Sequence, residues 1–240
     1  MIPLRDDNPA EITPLVTVGF IAACALVFLY QASLPGQAGE VFVYQFGAIP
    51  ATIFGNATLP VEVAAIPPFA TLLTSMFMHG GWMHLIGNML YLWIFGNNIE
   101  DVMGHVKFVI FYVLCGIAAV YSHAITDPNS TVPMVGASGA ISGVLGAYLL
   151  LFPRAQVLVI IPLGFFTRMM YVPAGVVLGL WFLMQALSGG MSLGRSGGGV
   201  AFFAHVGGFV AGMALIGLFK RSDVRFFAPQ RHSSWQNSEW

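Results

Sequence analysis

The sequence predicts an all-α polytopic membrane protein, built as a bundle of six transmembrane helices. The first observation is composition: of 240 residues, 57% are hydrophobic and only 8% are charged, whereas a soluble domain carries about a quarter charged residues. The second is the mean hydropathy of +0.80. The third is a set of six long apolar segments. The net charge of −1 excludes nucleic acid as a partner, because no basic face exists to neutralise phosphates.

The six segments divide the chain into a short N-terminal tail (residues 1–11), a membrane domain (12–220) and a polar C-terminal tail (221–240) that we expect to be disordered. Most segments approach the ~20 residues that a ~30 Å hydrocarbon layer requires. The fourth is short, which places its start below the membrane surface. The predicted spans are 12–30, 82–101, 108–125, 137–152, 171–187 and 200–219.

Basic residues predict the orientation. With the N-terminus inside, only Arg195 lies outside, which is a strong positive-inside bias. The sequence therefore predicts a cell-membrane protein with both termini cytoplasmic and with spans two, four and six beginning at the outer face. The eight basic residues on the cytoplasmic side are Arg5, Lys107, Arg154, Arg168, Lys220, Arg221, Arg225 and Arg231.

The connections between spans differ in character. Residues 31–81 form a long outer connection that we expect to lie partly in the membrane interface. Residues 156–170 contain two short apolar runs around Pro162-Leu163-Gly164, which indicate a small cytoplasmic hairpin. The Gly-rich stretch 188–199 could cap a cavity and move to admit a substrate.

Ser138 and His205 each open an apolar span, and both spans enter from the same side. A serine hydroxyl is a weak nucleophile until a base takes its proton, so a hydroxyl and an imidazole at matching depth suggest hydrolysis inside a membrane. The helix start at Ser138 also leaves N–H groups and a positive dipole end for a developing oxyanion. Small residues follow both positions, which predicts that spans four and six pack with their backbones nearly in contact.

His84 and Asn88 lie one turn apart on the second span and therefore share a face. Polar side chains facing lipid are costly, so this face should turn inward. As donors near Ser138, they could stabilise a tetrahedral oxyanion.

Other chemistries fit the sequence less well. A metal site at His79 and His84 has the wrong spacing for one helix face, and no HExxH motif occurs, so neither metal nor cofactor is expected. Cys24 and Cys115 lie in apolar runs as buried small hydrophobes. No span interior carries an Asp pair, which excludes an aspartyl protease. The carboxylates predicted on the outer side lie only in loops, so a Ser–His dyad without a third member is a better interpretation than a full triad. These carboxylates are Glu40, Glu62 and Asp127.

Three stretches make the chain resemble the rhomboid intramembrane serine proteases, over about residues 71–219. They are HGGWMHLIGNMLYLWIFGNNIED (79–101), GASGAISGVLGAYLL (136–150) and AFFAHVGGFVAG (201–212). The resemblance implies a six-span rhomboid-like bundle, with Ser138 as nucleophile and His205 as general base. It implies an oxyanion hole of His84, Asn88 and the Ser138 backbone N–H. It also implies a structural role for Glu100 and a role for His79 in anchoring a loop or retaining water.

Two departures from the family pattern bear on the site. Some members carry a Trp-Arg pair at the end of the first outer loop, where this chain has Ala70-Thr71. Some carry an aromatic residue four positions after the nucleophile, packed on the imidazole, where this chain has Ser142. His205 must then be oriented by another device, either a hydrogen bond or glycine packing.

The sequence therefore predicts a serine endopeptidase of the rhomboid class that cleaves transmembrane proteins near their outer ends. Its partners would be these substrates and the lipid bilayer. The first alternative is a catalytically inactive rhomboid-like protein that binds membrane proteins; that class usually loses the Ser or the His, and both are present. The second is a small-solute transporter, for which inverted repeats and broken helices with charge at mid-membrane are expected.

Overall fold

The computed structural model describes residues 1–163, 166–192 and 201–228. Within these ranges the chain is mostly helical, with one three-stranded sheet. In chain order the elements are β1 (Ile2–Asp6), α1 (Leu15–Ser33), α2 (Gln37–Phe46), α3 (Pro50–Ile53), α4 (Pro68–Thr74), a 3-10 turn (Ser75–Phe77), α5 (Trp82–Met103), α6 (His105–Ala124), α7 (Ser138–Leu151), β2 (Gln156–Leu163), β3 (Phe166–Pro173), α8 (Ala174–Ser192) and α9 (Phe202–Phe219).

Six long helices, α1 and α5 to α9, occupy the six segments predicted as spans. Four of them, α1, α6, α8 and α9, are long and apolar enough to cross a membrane, so the chain is a membrane protein, but the count of six crossings is not confirmed. Helix α7 has 14 residues, about 21 Å at 1.5 Å per residue, which is less than a ~30 Å hydrocarbon core. Helix α5 is long enough, but Asn97, Asn98, Glu100 and Asp101 occupy its last turns.

Helix α7 lies at the centre of the bundle, and its residues from Gly139 to Tyr148 are all buried. It packs on α9 through glycines: a Cβ on Gly208 would meet the backbone of Gly139, and one on Gly212 would meet the backbone of Gly143. The predicted close packing of these two helices is therefore observed. Only the absence of a side chain lets the backbones approach so closely.

Glu100, near the end of α5, holds the start of α1. Its fully buried carboxylate accepts hydrogen bonds from the backbone N–H groups of Val16 and Thr17, at 2.9 and 2.8 Å, and from the Thr17 hydroxyl at 2.7 Å. The Nδ1 atom of His105 lies 2.5 Å from the same carboxylate. The acid thus satisfies N–H groups that the first turn of a helix leaves unpaired, which explains a buried carboxylate in an apolar bundle.

The described chain is not all-α, and this part of the predicted fold class is wrong. The predicted hairpin at 156–170 is present as the antiparallel pair β2–β3, which runs from Gln156 opposite Pro173 to Leu163 opposite Phe166. The N-terminal tail adds β1 to the other edge of β2. Five residues are too short for their alternation to be recognised in the sequence. Pro173 ends β3, so α8 begins at Ala174 instead of at the predicted residue 171.

Two predicted boundaries also change near the ends of α8 and α9. Helix α8 continues to Ser192, so the first residues of the predicted cap at 188–199 are helical, and residues 193–199 lie outside the described ranges. The tail predicted to be disordered is ordered from Arg221 to Ala228. Arg221 donates its backbone N–H to Val102 at 3.0 Å, and Phe227 donates to Leu150 at 2.8 Å. Apolar residues such as Val224, which is 3% exposed, anchor this stretch; residues 229–240 lie outside the described ranges.

Asp6, the last residue of β1, connects the sheet to α7. The Tyr148 hydroxyl donates a 2.6 Å hydrogen bond to its carboxylate, and Tyr148 itself is fully buried against the rings of Phe95 and Phe152. Burial is the main cause that raises the pKa of Asp6 from 3.8 to about 7, and the bond from Tyr148 opposes it. The folded protein thus holds a proton at Asp6 that the unfolded chain releases near pH 4.

Because the pKa of Asp6 is raised in the folded state, we expect Asp6 to make the free energy of unfolding depend on pH. Between about pH 4 and 7 Asp6 keeps its proton in the folded state and loses it in the unfolded state, so the contribution of Asp6 to the free energy of unfolding should fall as pH rises through this window and should level off above it. Asp6→Asn should remove this contribution, because the amide accepts the Tyr148 bond without titrating; relative to wild type, the variant should therefore gain stability as pH rises from 5 to 8. Thermal unfolding in detergent at pH 5 and pH 8 measures the effect. Glu62→Gln, at an exposed loop position, should keep the wild-type slope; an unchanged slope in Asp6→Asn would contradict the assignment.

Candidate active site

Ser138 and His205, 67 positions apart in sequence, meet at one end of the bundle. The Ser138 Oγ atom lies 2.8 Å from the His205 Nε2 atom. Ser138 is the first residue of α7 and His205 the fourth of α9. Because α7 and α9 are held together by the glycine contacts, the two side chains are fixed by rigid elements and not by loops.

The segment that leads into Ser138 is fixed from two sides. Gly136 has a φ of +130°, which a side chain would strain, and it donates its N–H to the Ser75 carbonyl at 2.9 Å. Upstream, Met134 and Ala48 exchange two backbone hydrogen bonds, at 2.8 and 3.0 Å. The connection between α1 and α5 therefore holds the Ser138 segment through Ala48 and Ser75, in a chain that lacks the Trp-Arg pair.

His84 lies beside this segment. A Cβ placed on Gly136 would be 2.8 Å from His84 Nε2 and 3.6 Å from Ser138 Oγ, so the imidazole borders the serine across the glycine. The Gly80 backbone N–H points at His84 Nδ1, 3.2 Å away. Since Nδ1 accepts this bond, the proton of the neutral ring resides on Nε2, the nitrogen that faces the site. His84 is thereby prepared as a hydrogen-bond donor.

Two further groups of donors stand at the same end. Asn88, one turn along α5 from His84, is 8% exposed, and its Nδ2 atom has no hydrogen-bond partner among the described residues. The first helical bond of α7 runs from Ile141 N–H to the Ala137 carbonyl at 3.0 Å, and no side chain caps the helix. The N–H groups of Ser138, Gly139 and Ala140 precede that bond and are available to an oxyanion.

Helix α8 supplies two residues that the sequence analysis missed. Gln185 places its Oε1 atom 2.7 Å from His205 Nδ1. Trp181, one turn earlier, packs its ring on the imidazole with a centroid distance of 5.8 Å and an angle of 36°. The third member of a serine triad is usually a carboxylate, and neither of these residues is one. Gln185 is the one amide in an otherwise apolar span, and this was the signal, because a polar side chain in a membrane helix needs a partner.

Ser142 and His79 have structural contacts. The Ser142 hydroxyl donates to the Ser138 carbonyl at 2.6 Å, so it does not replace the missing aromatic residue; Trp181 covers the imidazole instead. The His79 ring is fully buried and meets the His84 ring edge-on at 5.2 Å, while the His79 carbonyl accepts a 2.9 Å bond from Gln31 on α1. Burial lowers the pKa of His79 to about 4, so the ring is neutral at pH 7.

The side chains that could bind a metal ion do not cluster in the described part of the chain. In residues 1–163, 166–192 and 201–228, no three His, Cys, Asp or Glu side chains form a group that could hold a metal ion; the metal-free and cofactor-free chemistry stays a prediction. Cys24 and Cys115 are free and buried. The residues that do converge are a hydroxyl, an acceptor nitrogen and several donors, which is the set that acyl transfer to a serine requires.

Comparison of this chain with known protein families identifies the family to which it belongs. The rhomboid domain family model matches residues 68–222, more than half of the chain. The chain belongs to the rhomboid family. The matched region contains α4 to α9 and all four predicted site residues, Ser138, His205, His84 and Asn88.

Three curated rhomboid relatives show the range of similarity. Rhomboid protein 1, mitochondrial, from Saccharomyces cerevisiae is 29% identical over 147 residues, 60% of this chain and 40% of that protein. Rhomboid protease GluP from Bacillus subtilis is 31% identical over 136 residues, 57% of this chain and 24% of that protein. RHOMBOID-like protein 5 from Arabidopsis thaliana is 36% identical over 78 residues, 32% of this chain and 25% of that protein. The chain thus spans less than half of the length of each.

Proposed function

We propose that this rhomboid-family protein is an intramembrane serine endopeptidase. The observation that carries the proposal is the 2.8 Å approach of Ser138 Oγ to His205 Nε2, with His84, Asn88 and the first N–H groups of α7 beside it. A hydroxyl against an acceptor nitrogen is the arrangement that activates a serine. Relatives with protease names, such as GluP of Bacillus subtilis, support the same reaction class.

The reaction would run in two halves. Ser138 Oγ attacks the scissile carbonyl carbon while its proton passes to His205 Nε2, and the oxyanion receives hydrogen bonds from His84 Nε2–H, Asn88 Nδ2–H and the Ser138 N–H. The tetrahedral intermediate collapses, the C–N bond breaks, and the leaving amine takes the proton from His205. Water then attacks the acyl-serine with His205 as base, which releases the carboxylate product and restores the Ser138 hydroxyl.

The proposed substrates are other transmembrane proteins, cleaved near one membrane face. Ser138 stands at the start of a buried, apolar helix, and the basic residues Arg5, Arg154 and Arg168 lie on the sheet and its connections at the opposite end of α7. Under the positive-inside rule that opposite end is cytoplasmic and the site opens outward. A substrate helix must unwind there, because a hydrogen-bonded helix hides its carbonyls from attack.

Labelling with a fluorophosphonate tests the proposal without a known substrate. Ser138 Oγ should attack phosphorus, fluoride should leave, and the serine proton should pass to His205. We expect wild-type protein in lipid vesicles to gain one phosphonyl group at Ser138 by mass spectrometry, and Ser138→Ala to gain none. In the same vesicles, wild-type protein should cleave a single-span test protein, while Ser138→Ala should not. Ser142→Ala, which leaves the Ser138 side chain intact, should retain labelling.

Two results would reject the proposal. One is folded wild-type protein that is neither labelled nor able to cleave any of a panel of single-span proteins; this result would favour a binding role without catalysis. The other is cleavage that persists in Ser138→Ala, which would transfer the reaction to another group.

A further inference from the structure

We infer that Gln185, together with Trp181, positions the His205 imidazole, so that the catalytic unit has a neutral third member on α8. The inference rests on the proposed function and deepens it. It depends on the 2.7 Å distance between Gln185 Oε1 and His205 Nδ1 and on the Trp181 ring against the same imidazole.

The amide oxygen decides which imidazole nitrogen carries the proton. Oε1 can only accept a hydrogen bond, so Nδ1 must donate and therefore holds the proton of the neutral ring. The lone pair of Nε2 then faces the Ser138 hydroxyl, 2.8 Å away. In the other tautomer Nε2 would carry hydrogen and could not take the serine proton. Gln185 thus selects the tautomer that can act as a base.

The spacing of the two α8 residues makes them one device. Residues four apart lie on one helix face, and Trp181 and Gln185 are both half-buried toward α9, whereas Met184 and Leu187 are exposed. Gln185 fixes the edge of the His205 ring by a hydrogen bond, and Trp181 fixes the plane of the same ring by packing against it. They do the orienting that Ser142, bonded to the Ser138 carbonyl, cannot do.

A neutral acceptor suits this location. When Ser138 gives up its proton, His205 becomes an imidazolium and both ring nitrogens donate hydrogen bonds. The amide dipole stabilises that positive charge without placing a permanent anion among apolar helices, where an unpaired charge is costly. Positioning by an amide is therefore a weaker but less costly substitute for the carboxylate of a serine triad.

Three variants in lipid vesicles test the inference. Gln185→Leu has a similar size but no acceptor, Gln185→Glu restores an acceptor, and Met184→Leu on the same helix is the matched control. We expect Gln185→Leu to lower both kcat for a single-span test protein and the rate constant of Ser138 phosphonylation by about 10- to 100-fold, within the range of general-base effects. KM should change less than about threefold, because the lost interaction acts in the transition state. Gln185→Glu should recover most of the rate, and Met184→Leu should match wild type.

A spectroscopic measurement separates positioning from packing. In protein labelled with ¹⁵N at histidine, wild-type His205 should show a protonated Nδ1 and an unprotonated Nε2. Gln185→Leu should show a mixture of tautomers at an unchanged melting temperature. A purely structural role would instead lower the melting temperature and leave the tautomer unchanged.

The outcomes distinguish this inference from the proposed function. If wild-type protein reacts at Ser138 and folded Gln185→Leu reacts at the same rate, the positioning role is wrong and the proposed function stands. A Gln185→Glu variant as slow as Gln185→Leu, with a His205 signal unchanged from wild type in both, would also overturn the positioning role. If wild-type protein does not react at Ser138 at all, both ideas fall.

Discussion

His205→Asn should slow the phosphonylation of Ser138, and the cleavage of a transmembrane test protein, by about 10⁴-fold or more. The shorter amide cannot reach the position of Nε2, so the 2.8 Å contact with Ser138 Oγ disappears and no described side chain replaces the base. The donors of His84, Asn88 and the α7 start remain in place, which is why some reaction above the background should survive. Labelling reactions of wild-type and variant protein in vesicles, quenched at successive times, give the two rate constants of Ser138 phosphonylation.

The control for this variant is on the same helix. Val210 is exposed on α9, 51% of its surface being accessible, and Val210→Ala should keep the wild-type rate. The melting temperature in detergent establishes that His205→Asn is folded. A loss smaller than about tenfold in folded protein would mean that another group takes the serine proton, and the Ser–His assignment would have to be abandoned.

Gly212→Val should separate α7 from α9 and destabilise the fold. A Cβ at this position would overlap the backbone of Gly143, and backbone, unlike the end of a flexible side chain, has no rotamer into which it can withdraw. Overpacking of this kind costs about 1–3 kcal/mol and sometimes more, and a clash with backbone belongs at the upper end. Because Ser138 and His205 lie on these two helices, their separation should also lengthen the Oγ–Nε2 distance and slow labelling of the protein that still folds.

Gly217 provides the matched comparison for Gly212. Both glycines lie in α9, but the nearest atom to a Cβ on Gly217 is the end of the Phe226 ring at 3.7 Å, an ordinary contact. Gly217→Ala should therefore change the unfolding free energy little, and Gly212→Ala should have an intermediate effect. Denaturant titration in mixed micelles, followed by intrinsic fluorescence, measures the series. Equal stability of Gly212→Val and Gly217→Ala would show that the helix contact is looser than described.

The convergence of the three motifs could be predicted from the sequence. Each motif lies at the start of a helix, and the three helices start at the same end of the bundle. Ser138, His84 and His205 could be placed at one depth from span order alone. Close approach of α7 and α9 followed from the glycines, whose spacing has one simple interpretation in a membrane helix. The roles of these residues in catalysis stay predictions until the labelling experiments are done.

Other features depend on contacts between distant segments and escaped the sequence. The lone amide of Gln185 in an apolar span indicated that this residue needs a partner, but its contact with His205 depends on the orientation of α8 relative to α9, which hydropathy does not encode. The strand Ile2–Asp6 exists because β2 offers it an edge, and five residues alone give no strand signal. The stretch 221–228 resembled a polar tail, yet its few apolar residues find a binding surface at the ends of α5 and α7. Helix α7 is too short for its crossing to be judged from length, since its surroundings determine how deep it lies.

The separation of 67 positions between the serine and its histidine partner has a consequence for biosynthesis. A ribosome adding about 5–20 residues per second delivers α7 to the membrane roughly three to thirteen seconds before α9. During that interval the nascent chain holds a serine without a base. On the proposed function, a newly made molecule cannot cleave neighbouring membrane proteins while it is being inserted. It gains proteolytic activity only when α9 has packed against α7.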